Sequence, residues 1–452
     1  MGLDLDVLSE LVGRGEIDTV VTAFPDHFGR LMGKRITGHF FLDEVARGGM
    51  HACDYLLACD VEMDPIEGYG FSSWAKGYGD FHAVPDLSTL RVLPWFEKTA
   101  FVLCDLYRGD AHEPVSVAPR QVLREQVSRA TARGLFPMGA SELEFYLFRD
   151  SYEAAREKRY HDLEPYGWYI EDYHILQGAR EEWFVRAIRN AMDGAGVPVE
   201  FSKGEWGPGQ HEINVRYADF LEMADRHTLY KQGVKEIAAL NDVAVTFMAK
   251  WHEKYAGSSC HIHASLVESD GETSAFCGPD GGMSPLFRHW LAGQLRYARE
   301  LTLLYAPFVN SYKRYQAGSF APTRIAWAHD NRTVGFRVLG HGSSLRAENR
   351  IPGADVNPYL AFAATLAAGL AGIDEELELP DPVEGDAYSM GDIQGVPTTL
   401  EEAIEAFEDS ILARAAFGED VVAHYLHAAR TEVAKFREVV TCWERLRHFE
   451  RT

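Results

Sequence analysis

The sequence is short of basic charge: 44 lysine and arginine residues stand against 68 aspartate and glutamate residues, for a formal net charge of −24. Nucleic-acid binding draws on a cationic surface that displaces phosphate counterions, so this deficit, with no local basic run, excludes a nucleic-acid partner. Long hydrophobic runs are missing as well. No stretch approaches ~18 consecutive apolar residues, and the amino terminus (Met1, Gly2, Leu3, Asp4, Leu5, Asp6) lacks the basic start and apolar core of a signal peptide. A cytoplasmic protein with no membrane partner is expected. Cysteine is scarce: the six residues Cys53, Cys59, Cys104, Cys260, Cys277 and Cys442 form neither a CxxC pair nor a disulfide framework. A GxxxxGK[ST] loop is also absent, so any nucleotide phosphate must be held by other means.

What the sequence does contain is core-forming material. Hydrophobic residues make up 46% and aromatics 12% of the chain, enough for a folded globular protein, and 452 residues suggest two or three domains. The first hundred residues mix a helical start with short strand-like runs at 19–24 and 100–106, as a small α+β unit would. Residues 111–119 are poor in periodic signal and hold two prolines, so the reading divides the chain into domains at 1–110 and 111–452. Beyond them, helical periodicity predicts helices near 120–134, 179–195, 218–249, 284–306, 357–373, 399–416 and 418–447. Alternating segments lie between, without regular βαβ order, so an antiparallel or mixed sheet with a polar concave face is expected.

Three of those segments put charge on one face. Glu142 and Glu144 alternate with Leu143 and Phe145, which in a strand forces two carboxylates side by side. Such a pair reads either as a hard-metal site or as a solvated strand face. His261, His263 and Ser265 alternate with Ile262 and Ala264; this HxH pattern suits a metal or phosphate, a metal-dependent hydrolase, or two histidines satisfied by carbonyls. Arg346, Glu348 and Arg350 form a third alternating set, by itself a plain ion-pair ladder. Arg314, Arg324, Arg332 and Arg337 lie upstream, and guanidinium groups beside carboxylates are what anionic substrates require. A Gly/Pro turn at 203–214 adds Glu205 and Glu212. Five glutamates and His261 suffice for two oxygen-rich divalent sites, whose natural chemistry is cation-bridged phosphoryl transfer.

In order and spacing, ELEF at 142–145, GPGQHEIN at 207–214, GSSCHIHASL at 257–266, NSYKR at 310–314, NRT at 331–333, RAENRIPG at 346–353 and NPYLAF at 357–362 make the sequence resemble the glutamine synthetase family over nearly its whole length. The resemblance implies an α+β fold: a small β-grasp domain, a larger catalytic domain with a curved antiparallel sheet, and a homo-oligomer, usually a dodecamer of two stacked hexameric rings with shared active sites. It implies Mg²⁺ or Mn²⁺, two or more per site, with Glu144, Glu205 and Glu212 as ligands of the first ion and Glu142, His261 and Glu348 of the second. ATP would meet Tyr217, His263, Ser265, Arg337 and Arg346. Glutamate would meet Gly257, Arg314, Arg332 and Arg350, and Arg332, Arg337 and Glu348 would serve catalysis.

The sequence leaves the family pattern where ammonium should bind. Ammonia-using members carry a flap glutamate before Ala-Pro; here Phe320 precedes Ala321 and Pro322. The latch that normally includes an aspartate reads Tyr69, Gly70, Phe71, Ser72, Ser73, Trp74. An apolar ring cannot attract ammonium but can pack against the carbon of an organic amine. The expected activity is therefore an ATP-dependent ligase joining the γ-carboxylate of glutamate to a substituted amine through γ-glutamyl phosphate. A small monoamine such as ethanolamine is favoured over polyamines and alkyl or aryl amines, with Phe320, Tyr69, Phe71 and Trp74 as the amine subsite. A true glutamine synthetase and a non-catalytic ring-forming relative are the alternatives.

Overall fold

The computed structural model describes residues 3–109 and 113–452. The expected boundary between residues 110 and 111 lies outside the described residues. The first sheet comprises β1 (Thr19–Pro25), β2 (Leu31–Thr37), β3 (Met50–Cys53), β4 (Asp80–Pro85), β5 (Arg91–Val92), β6 (Thr99–Arg108) and β7 (Glu113–Pro114). Its path runs β2-β1-β6-β4-β3, with β1 parallel to β6 and the other pairs antiparallel.

The second sheet comprises β8 (Phe136–Phe148), β9 (Val199–Gly204), β10 (Gln210–Val215), β11 (Ala218–Asp219), β12 (Ala244–Thr246), β13 (Cys260–Val267), β14 (Trp327–His329), β15 (Phe336–Leu339) and β16 (Arg346–Asn349). The order β14-β15-β16-β13-β8-β10-β9 is antiparallel except at β14 and β15, as the α+β reading with a mixed sheet expected. Long β8 is its spine, pairing with β10 and β13 along its length and with β11 and β12 at its ends. Leu143, Phe145 and Leu147 of β8 enter the core together with Ile213, Cys260 and Ile262, which leaves the alternate, polar residues on the other face.

Helices cover the apolar side. The expected helices near 120 and 284 are α1 (Pro119–Thr131) and α4 (Pro285–Tyr305), and the one near 179 is α2 (Glu182–Gly194). The expected 218–249 helix, α3 (Phe220–Leu240), stops short, and residues 244–246 pair with β8 instead: the sheet edge captures the apolar residues after Asn241. The apolar α5 (Pro358–Asp374) packs on α4. The 399–416 helix divides into α6 (Leu400–Glu408) and α7 (Ile411–Phe417), because the Ser410 side chain accepts from Ala413 N and starts a new helix. Likewise 418–447 divides into α8 (Glu419–Glu438) and α9 (Cys442–His448), where Thr441 and Glu444 form a capping box. No helix among the described residues is long and apolar enough to cross a membrane.

Arg120 of α1 ties the first sheet to α3. Its guanidinium donates to both carboxylate oxygens of Asp225 (3.0 and 2.9 Å), to Asp86 (2.7 Å) and to Asp105, while Tyr359 also donates to Asp225 at 2.7 Å. Removing one partner of a buried charge network leaves the others uncompensated. Arg120→Met is expected to lower the unfolding free energy by about 3–5 kcal/mol, read as an earlier midpoint in denaturant melts.

Candidate active site

Strand register assembles the site from residues distant in sequence. In one row Glu144 faces Glu212, and Glu212 faces Lys203. In the next, Glu142 lies between Asn214 and His261. In the third, Glu348 lies between His263 and Arg337. Because alternate residues share a face, these rows stack their charges on the polar side of the sheet. The turn 205–210 returns Glu205 to Glu212. A β-carbon at Gly207 would lie 1.9 Å from the Tyr146 hydroxyl, so only glycine lets the turn pack there. Gln210 then braces the turn, accepting from Gly207 N at 2.9 Å and donating to Glu144 and to Gly257 O, both at 3.0 Å.

Two ligand triads result, with the membership expected from the sequence. Ligand atoms of Glu144, Glu205 and Glu212 lie within 4.8 Å of one another, as do those of Glu142, His261 and Glu348. One triad is all oxygen and the other carries a single imidazole, donor sets that fit Mg²⁺ or Mn²⁺. Burial, then the charge of Glu205, pushes the Glu144 carboxyl up to about 8, even though Ser259 donates to it from both N–H and hydroxyl. Burial and then Glu142 push Glu212 well above the usual range. Lys203 sits among these acids, donating to Glu205 and lying 3.8 Å from Glu212.

The second triad has the opposite balance. Burial alone would raise Glu348, but Arg350 beside it, then His261 and His263, hold it below the usual carboxylate value. Arg350 donates to Glu348, and Arg337 does so at 3.1 Å. Burial opposes charge on Glu142 as well, yet His263 at 2.8 Å and His261 at 3.1 Å hold it well below its ordinary value.

The first triad therefore demands a cation more strongly than the second. Burial and Glu205 push the Glu144 carboxyl up to about 8, so it is expected to be largely protonated at neutral pH before a cation binds. A cation needs the ionised forms of both Glu144 and Glu212, so its binding is expected to expel at least one proton and to tighten as pH rises. Titration calorimetry with Mn²⁺ in buffers of differing ionisation enthalpy measures this release.

Two clefts meet at this face. One, of about 530 Å³, is lined by Glu142, Glu144, Glu205, Glu212 and His261, with Gly257, Arg314, Phe320, Arg332, Arg337 and Arg350. The other, of about 720 Å³, is lined by Tyr217, His263, Ser265 and Arg346. Glu142 and Phe201 line both, so the clefts adjoin there. Arg337 lines the first cleft together with Arg332, its guanidinium held by Glu348 and Asp330, and does not line the second. Arg314 is largely committed to the carbonyls of Arg350, Ile351 and Pro352, with its Nε unpaired.

The amine-subsite expectation divides. Phe320 lines the first cleft, its ring edge-on to Trp206 at 5.6 Å and its carbonyl accepting from Arg350 at 3.2 Å. Tyr69 and Phe71 do not line this chain's cleft: Tyr69 is buried against His424 and His427, and Phe71 is in the core beneath Arg108. Trp74 is 69% exposed and also lies outside the cleft. Their place in the sequence motif says nothing of the packing that claims the first two. The sequence reading missed Lys203, Ser259, Asp172 and Tyr173 as site residues. Ser259 shares the alternating face of His261 and was within reach; Lys203 depends on cross-strand register, and Asp172 and Tyr173 on an irregular loop.

A family model described as glutamine synthetase, catalytic domain, matches residues 116–448. The chain is 54% identical over 449 residues to the gamma-glutamylethanolamide synthetase of Streptomyces coelicolor, covering 99% of this chain and 96% of that protein. It is 37% identical over 446 residues to a glutamate–isopropylamine ligase of a Pseudomonas species, covering 98% and 97%. A solved structure described as a GmaS/ADP complex superposes with a TM-score of 0.85 at 26% identity, covering 98% of this chain and 99% of that one. Matching over most of its length in sequence and in fold, the chain belongs to the glutamine synthetase family.

Proposed function

We propose that this chain is a cytoplasmic, ATP-dependent ligase that joins the γ-carboxylate of glutamate to a small organic amine, with ethanolamine the favoured acceptor. The observation that carries the reading is the junction of the two clefts at Glu142, with both ligand triads beside it. Two or more Mg²⁺ or Mn²⁺ ions held by those triads would supply Lewis-acid neutralisation of the phosphoryl oxygens.

The chain's own residues do the rest. Tyr217, His263, Ser265 and Arg346 line the cleft in which the nucleotide would lie, and the triphosphate would point past Glu142 toward Arg332 and Arg337. Arg314 and Arg350 hold glutamate. Gly257 keeps that wall open, since a β-carbon there would lie 2.5 Å from Arg314 Cγ. A γ-carboxylate oxygen attacks the terminal phosphorus and ADP leaves, with Arg332 and Arg337 balancing the charge that moves. The free amine nitrogen then attacks the acyl carbon; the C–N bond forms, the C–O bond to phosphate breaks, and the amine's surplus proton is lost. Phe320 and Trp206 offer an apolar wall to the carbon side of the acceptor.

The names of the two curated relatives, one acting on ethanolamine and one on isopropylamine, support an organic amine over ammonium. The two sheets support a division into an N-terminal β-grasp domain, 1–110, and a catalytic domain, 111–452. Exposed Trp74 supports a homo-oligomer in which a neighbour receives it, and a dodecamer is expected in analytical ultracentrifugation. The deciding experiment is phosphate release with ATP, Mg²⁺ and glutamate across ammonium, ethanolamine, isopropylamine and putrescine. Ethanolamine is expected to give the highest kcat/KM; turnover with ammonium alone would make the protein a glutamine synthetase.

A further inference from the structure

We propose that Glu171, Glu181 and His211 form a third cation site, on the far face of β10 from the cleft, that takes a divalent transition-metal ion and fixes the cleft wall. His211 lies between Gln210 and Glu212, so strand alternation turns it away from the triads. Its Nε2 is 3.9 Å from Glu171 Oε2 and 4.0 Å from Glu181 Oε2, and one ligand atom from each residue falls within 4.8 Å of the others. His211, Glu171 and Glu181 are 2%, 1% and 0% exposed. Within this enclosed space His211 Nε2, Glu171 Oε2 and both Glu181 oxygens have no hydrogen-bond partner.

The spacing and the charge point the same way. An acid–imidazole cluster that shared protons would close to about 2.7–3.2 Å; these groups stand wider apart, by about half an ångström more than the ~3.4 Å between tetrahedral ligands ~2.0–2.2 Å from one ion, a gap that small side-chain shifts would close on binding. Among the described residues neither glutamate forms an ion pair with lysine or arginine, and Arg180 is turned onto the Trp168 ring at 3.7 Å. Arg180 and Arg149 act on these carboxylates only from a distance, so the two buried groups lack a contacting counter-charge, and a single divalent ion would neutralise both. The surroundings also place Glu171 tightly: Gly209 N donates to its Oε1 at 2.9 Å, and a β-carbon at Gly167 would fall 1.6 Å from that oxygen. Only Oε2 remains to face the cluster. One imidazole with two carboxylates suits Zn²⁺ and its first-row neighbours better than Ca²⁺.

The consequence concerns the cleft. Glu171 precedes Asp172 and Tyr173, which line it; Glu181 is the N-cap residue at the start of α2; His211 adjoins Glu212. One ion would tie this loop and helix to the strand that carries a ligand of the first triad. The ion is thus a positioning element and touches no substrate.

The test is Zn²⁺ stoichiometry in the full-length Glu144→Ala/His261→Ala protein, in which both triads are broken. After chelator stripping, Zn²⁺ addition and desalting, elemental analysis is expected to find about one ion per chain, falling below a tenth of that on adding Glu181→Gln. X-ray absorption of the bound ion is expected to show a single imidazole with oxygen ligands, a reading that needs no further variant should Glu181→Gln fail to fold. No retained zinc, zinc unaffected by Glu181→Gln, or a shell with sulfur or several imidazoles overturns the proposal. Neither readout depends on the acceptor amine or on turnover.

Discussion

Glu144→Ala is expected to lower glutamate- and amine-dependent phosphate release by on the order of 10³-fold, several kcal/mol of transition-state stabilisation. Glu144 is the centre of the all-oxygen triad: it faces Glu212 across β8 and β10 and receives Ser259 N–H at 2.9 Å and Gln210 at 3.0 Å. Those donors fix the carboxylate in place, so no neighbour can swing in to replace it. The variant is expected to stay folded without metal, because Glu144 is held toward its neutral form there and its removal strips no buried charge of a partner. Steady-state phosphate release and a metal-free thermal melt measure the two effects. Turnover within tenfold of the parent protein would take Glu144 out of the phosphoryl-transfer site.

Phe320→Glu is expected to lower kcat/KM for ethanolamine by about 10–200-fold, the range in which an altered apolar contact discriminates substrates, while kcat/KM for ammonium rises. Phe320 holds φ +60°, a left-handed conformation uncommon for a bulky side chain, and its carbonyl accepts from Arg350 at 3.2 Å. That bond fixes the backbone and turns the ring toward Trp206 at 5.6 Å. A glutamate in the same backbone position would put a carboxylate on the wall where the acceptor's carbon would pack, favouring a small cation. The panel should include the KM for glutamate. If that constant alone changes, Phe320 acts through Arg350 and not through the acceptor.

The two predictions depend on different levels of information. Glu144 could be nominated from alternation with Leu143 and Phe145, since a strand of that composition must put its apolar residues in the core and its acids outside. The partnership with Glu212 is a matter of register, and the turn at 205–210 that supplies Glu205 closes only because Gly207 admits the Tyr146 hydroxyl. Phe320 was conspicuous as an apolar residue before Ala321 and Pro322, but its ring partner Trp206 lies on another loop. Tyr69 and Phe71 mark the limit of motif reading: the same aromatic residues can line a pocket or fill a core, and here His424, His427 and Arg108 pack against them.

The sequence by itself determined which residues share a face and where most helices begin, because alternation in a strand and capping at a helix start are local properties of the chain. Glu142 with Glu144, His261 with His263, and Arg346 with Glu348 and Arg350 follow from that period, as does the start of α5 at Asn357, whose side chain accepts from Tyr359 N. Only the tertiary structure decided what stands opposite what. The alignment of Lys203, Glu212 and Glu144 in one row, the early end of α3, and the convergence of Glu171, Glu181 and His211 behind β10 depend on contacts between distant segments. The free energy of those contacts is set by burial and cross-strand pairing, which no local pattern carries.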